Sequence, residues 1–101
     1  MKKHTKIYMG AIGYTDTDFI PSEISGQRAV DIHHIVSRGK GGEDRIENLM
    51  AVTREEHIEF GDKKEWMYFL LIRHYDCLIK KGVEFSKIWF DAQFDKYEDT
   101  Y

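Results

Sequence analysis

A chain of 101 residues holds one modest hydrophobic core and excludes two catalytic domains. A hydrophobic fraction of 42% and an aromatic fraction of 14% argue for a folded globule, and a single cysteine, Cys77, excludes an intramolecular disulfide or a cysteine-based structural zinc site. The net charge of −3 runs against a broadly basic nucleic-acid binder, but Lys2, Lys3 and Lys6 open the chain while Asp91, Asp95, Glu98 and Asp99 crowd its end.

Met1-Lys2-Lys3-His4 leads into a mixed segment rather than a signal-peptide core. No apolar run reaches the roughly 18 residues of a membrane span, so a soluble, cytoplasmic protein is expected. Ile7, Tyr8, Ala11 and Ile12 share one helical face, with Thr5 as cap and Gly13 as stop, which predicts a short amphipathic helix. Pro21 opens a turn-rich stretch to Gly26. Residues Ala29 to Ser37 read as a strand, because β-branched Val30, Ile32, Ile35 and Val36 bracket His33 and His34. The glycine-rich run Arg38-Gly39-Lys40-Gly41-Gly42 predicts a loop, and Leu49 to Val52 a second strand. Thr53 followed by Glu56 is a capping box, placing His57 one turn into a helix. From Asp62 to Lys81 the chain lacks proline and glycine and carries Met67, Leu70, Leu71, His74 and Leu78 at helical spacing, ending before Gly82. Ser86 caps a last helix with Phe90, Phe94 and Tyr97 at turn spacing. His74 and the helical aromatics read as core, Cys77 as a buried thiol, and His4 as solvent-exposed.

Asp31-Ile32-His33-His34-Ile35, the glycine loop, Glu47-Asn48-Leu49 and Arg54-Glu55-Glu56-His57 carry the chemistry, with Asn48 fourteen residues after His34 and His57 nine after Asn48. This order of residues on strand, loop, strand and helix resembles the HNH (ββα-metal) nuclease family over residues 20 to 62. The resemblance implies an α+β fold in a single HNH domain spanning residues 1–101, with a C-terminal helical part over 62–97. It implies a metal-dependent endonuclease hydrolysing DNA, with His33 and His57 as metal ligands, His34 as the general base and Asn48 fixing the loop and orienting that base. An imidazole suits the base because its pKa lies near physiological pH, and an amide suits the loop because it donates and accepts at once.

Two departures from the family pattern stand out. Where many members carry a further helix histidine, this chain has Gly61, so a third ligand falls to Asp62, Glu55 or Asp31. A mixed imidazole–carboxylate set suits one divalent ion, Mg²⁺ or Mn²⁺ ahead of Ni²⁺ or Zn²⁺. The cysteine pairs that hold a structural zinc in many relatives are absent, so no structural zinc is expected. Arg38, Lys40, Arg45 and Arg54 are the candidate contacts to DNA phosphates. A chain this short, with no separate DNA-reading domain, implies loose specificity or a protein partner that supplies it. The alternatives are a ββα module that has lost its chemistry and binds nucleic acid or a protein, and a phosphoesterase acting on a nucleotide.

Overall fold

The computed structural model describes residues 1–100, which fold as a two-stranded antiparallel sheet with four helices, an α+β arrangement. Helix α1 (Lys3–Ile12) ends at Gly13, which takes a left-handed φ of 95°. It starts two residues before the predicted cap Thr5, because the Lys2 carbonyl already accepts from the Lys6 amide at 3.1 Å. Strand β1 (Asp31–His34) pairs with β2 (Leu49–Val52) in the register Asp31–Val52, Ile32–Ala51, His33–Met50 and His34–Leu49. The strand expected over Ala29 to Ser37 is thus only four residues long. The reason is a side chain: Ile35 still donates to the Asn48 carbonyl, but the Val36 amide donates instead to Asn48 Oδ1 at 2.8 Å, and the ladder stops.

Side chains alternate across the two strands. Leu49 and Ala51 pack with Tyr8 of α1 on one face, and Ile32 adds to them. Met50 and Val52 face the other way, into the main core with Ile35 and Val36. Helix α2 (Arg54–Phe60) follows β2 directly and has the predicted capping box, the Thr53 hydroxyl accepting from the Glu56 amide while the Glu56 carboxylate accepts from the Thr53 amide. It stops at Phe60. Gly61 is extended at φ −68°, and Asp62 adopts the left-handed region at φ 55°. The helix predicted from Asp62 therefore begins later, after a 3₁₀ turn at Lys64–Trp66, as α3 (Met67–Lys81).

Met67, Leu70, Leu71, His74 and Leu78 form the buried stripe of α3. Helix α4 (Lys87–Tyr97), capped by the Ser86 hydroxyl, adds Phe90 and Tyr97 to the same core. Phe90 lies within ring contact of Tyr75, Phe85, Trp89 and Phe94, which accounts for the aromatic spacing as packing. The sheet is thus held between α1 on one face and α3 with α4 on the other. Among the described residues no helix is long and apolar enough to cross a membrane.

Candidate functional site

Strand alternation sends neighbouring histidines to opposite faces. His33 shares the α2 face with Asp31, and its ring centroid lies 4.7 Å from that of His57, one turn into α2. Asp31 accepts from Arg54 through both oxygens, at 2.8 and 3.0 Å, and its Oδ2 also lies 3.0 Å from His57 Nδ1. These Arg54 bonds, with His57 adding to them, hold the Asp31 carboxyl below its usual range. An ionised carboxylate only accepts, so His57 carries its proton on Nδ1 and keeps the Nε2 lone pair free. His33 is 5% exposed, and its Nε2 is buried without a hydrogen-bond partner among the described residues. Burial, aided by the charges of His57 and His34, pulls its pKa down to about 4, so its lone pair is open at neutral pH. A buried ring nitrogen left unpaired costs roughly 1–3 kcal/mol, and a metal ion would satisfy it. His33 and His57 therefore fit a metal-ligand pair, with Asp31 orienting one of them instead of ligating.

His34, the last residue of β1, points to the α1 side, and its Nε2 lies 2.7 Å from Asp44 Oδ1. Arg38 Nη2 donates to both Asp44 oxygens at 3.0 and 3.1 Å. The His34 bond first, and Arg38 next, hold the Asp44 carboxyl down to about 2. Asp44 can only accept, so Nε2 bears the His34 proton and Nδ1 is the nitrogen able to take one.

Asn48 is fully buried, and among the described residues it makes no hydrogen bond to His34. Its amide nitrogen donates to the Val36 and Glu43 carbonyls, both at 3.0 Å, while its oxygen accepts from the Val36 amide. It ties the two ends of the glycine loop together and so delivers Asp44, the next residue, to His34. Within that loop a Cβ on Gly42 would meet the Val36 carbonyl oxygen at 1.7 Å, so only glycine fits there. Asn48 is a positioning residue, and it orients the base candidate through Asp44.

A cavity of about 650 Å³ is lined by His33, His34, His57, Asp31 and Asp62, with Lys2, His4 and Arg38 also on its wall. Of the three carboxylates expected to complete the metal set, only Asp62 both lines the cavity and keeps its oxygens outside a structural pairing, with just an exposed 3.4 Å contact to Lys40. Glu55 is exposed and does not line the cavity. Among the described residues no carboxylate joins His33 and His57 with all donor atoms within 4.8 Å of one another; the trio that does meet that spacing is His4, His34 and Asp44. Gly61 caps α2, its amide donating to the His57 carbonyl, and a Cβ there would meet that carbonyl oxygen at 2.3 Å and crowd the His57 and His33 rings at 2.9 and 3.2 Å.

The expected phosphate contacts divide. Arg38 lines the cavity, Lys40 reaches its edge through Asp62, and Arg54 is spent on Asp31. Arg45 turns away: it bonds Glu47 at 2.8 Å and lies over the Trp89 ring, so it braces α4 instead of serving the cavity. No family model, curated protein or solved structure matches the chain.

Sequence reasoning missed His4 and Asp44. His4, expected to be exposed, is half-buried with its ring 4.7 Å from that of His34, a tertiary contact that no spacing encodes. Asp44 did have a signal, since it lies two residues after Gly42, at the end of the glycine loop that follows His34.

Proposed function

We propose that the chain is a metal-dependent endonuclease of the HNH (ββα-metal) type that hydrolyses DNA phosphodiester bonds. The observation that carries this reading is the joint presence, in one cavity, of the facing pair His33 and His57 and of a carboxylate-backed histidine with one open nitrogen, His34. A divalent ion held by His33 and His57, with Asp62 as the available oxygen donor, would supply charge relief to the scissile phosphate and the leaving oxygen. With Asp31 committed to Arg54 and His57, the donors are imidazole-rich, which favours Mn²⁺ over Mg²⁺.

His34 Nδ1 accepts the proton of the attacking water, and Asp44 stabilises the resulting imidazolium. Lys2 and Arg38 offer positive charge at the cavity wall to neighbouring phosphates. Four of the acidic residues behind the negative net charge, Asp91, Asp95, Glu98 and Asp99, sit on or after α4, which contributes nothing to the cavity wall. They do not oppose a phosphate there directly. Cavity size gives a second reading its support, since about 650 Å³ suits a single nucleotide.

Incubating supercoiled plasmid with the protein and Mn²⁺, Mg²⁺, Ni²⁺ or Zn²⁺, with an EDTA control, tests the proposal. Metal-dependent nicked or linear product is expected. Hydrolysis of nucleotide esters with intact plasmid would favour the phosphoesterase, and no hydrolysis of either by folded protein would leave a binding module.

A further inference from the structure

We propose that His4, His34 and Asp44 form a second cation site, separate from the His33–His57 pair, which takes a zinc-class ion and thereby withdraws His34 from its role as base. The site is argued from geometry alone; only its inhibitory consequence rests on the nuclease reading above.

Three elements build it: the first turn of α1 brings His4, the end of β1 brings His34, and the glycine loop brings Asp44. One donor atom from each lies within 4.8 Å of the other two. Alternation along β1 turns His34 to the α1 side, so the trio borders the same cavity as His33 and His57 but shares no donor atom with that pair. Two imidazoles and a carboxylate are a zinc-type donor set that leaves a fourth position for water, and ligand bonds of about 2.0–2.2 Å are reached by modest side-chain rotation.

The arrangement already attracts positive charge. Arg38 Nη2 sits 3.0 and 3.1 Å from the two Asp44 oxygens and 3.5 Å from His4 Nδ1, so one guanidinium nitrogen faces both a carboxylate and an imidazole lone pair. Its side chain is 59% exposed and has no other hydrogen-bond partner among the described residues, so a metal ion can displace it into solvent.

Occupancy changes the tautomer of His34. The ion takes the Nε2 lone pair in place of the proton now shared with Asp44, and the neutral ring then carries its single proton on Nδ1. Nδ1 can no longer accept a proton from water. The Nε2 proton passes to solvent while Nδ1 takes one up from it, so the ring changes tautomer with no net proton released and no other reactant required.

Calorimetric titration of metal-free protein with Zn²⁺, repeated with Co²⁺ read by visible absorption, tests the site in wild type, His4→Ala, Asp44→Asn and His57→Ala, with folding checked by circular dichroism. Wild type is expected to bind two equivalents, His4→Ala and Asp44→Asn to lose at least tenfold in affinity for one of them, and His57→Ala to weaken the other. Zinc that inhibits Mn²⁺-driven plasmid cleavage in wild type is expected to inhibit His4→Ala at least tenfold less effectively. Wild-type zinc stoichiometry and affinity in both folded variants, His4→Ala and Asp44→Asn, would overturn the proposal. Zinc binding that depends on His4, in a protein that cleaves no plasmid with any metal, would sink the nuclease reading and leave the cation site standing.

Discussion

Two histidines in this molecule are backed by a carboxylate at the same 2.7 Å, His34 by Asp44 and His74 by Glu23, and their surroundings give them different work. His74 is completely buried, its second nitrogen donates to the Ile46 carbonyl at 2.6 Å, and Glu23 is further bound by the Tyr8 hydroxyl at 2.6 Å. Every polar atom of that ring is used, so the pair ties α1, α3 and the segment before β2 together and offers nothing to a substrate. His34 lies in a cavity with one nitrogen uncommitted. The histidine–carboxylate dyad is common to both; an open second nitrogen with access is what makes His34 the candidate base and His74 a brace.

The largest expected effects set these two residues against each other. His34→Ala should lower metal-dependent cleavage by about 10²–10⁴-fold, the usual contribution of a general base, with little change in the denaturation midpoint. His74→Ala should leave Glu23 and the Ile46 carbonyl buried without their partner and cost about 3–5 kcal/mol in urea unfolding. If both variants lost activity and stability in parallel, the distinction would fail.

Asn48→Ala sharpens the comparison, because it removes the tie that delivers Asp44 to His34. Three hydrogen bonds go, two of them buried, and a stability loss of about 3 kcal/mol should accompany a fall in activity even in the fraction that remains folded. A smaller effect comes from His33. Its pKa of about 4 lies below the ordinary 6.5, so the unfolded chain takes up a proton that the folded chain refuses. The contribution of this group to stability is complete above pH 6.5 and is lost progressively as pH falls towards 4. Unfolding of metal-free protein across that window should show this slope, and His33→Gln should flatten it. The smallest effect concerns Cys77, whose thiol burial, with Glu23 beside it, pushes up to about 12. Iodoacetamide at pH 8 should label it only slowly until denaturant is added.

Much of the fold was legible because it is local. The Thr53–Glu56 box, the Ser86 cap and the left-handed Gly82 mark helix ends by chemistry within a few residues. Where tertiary contacts decide, the reading fell short. The end of β1 is set by the Asn48 side chain, twelve residues away, and the start of α3 by Asp62 in a left-handed turn that no proline or glycine announces at that position. The same divide runs through the candidate site. His33, His34, Asn48 and His57 stand out by order and spacing, whereas His4 reaches His34 only through the packing of α1 on the sheet, and Asp31 turned out to serve His57 because Arg54 and that ring occupy its oxygens.

The most direct test of the account is plasmid cleavage with Mn²⁺ by wild type and His34→Ala, prepared identically and shown to be equally folded. The account predicts nicking by wild type that EDTA abolishes and that His34→Ala loses by at least a hundredfold. Equal cleavage by the two proteins, or none by folded wild type, would contradict it.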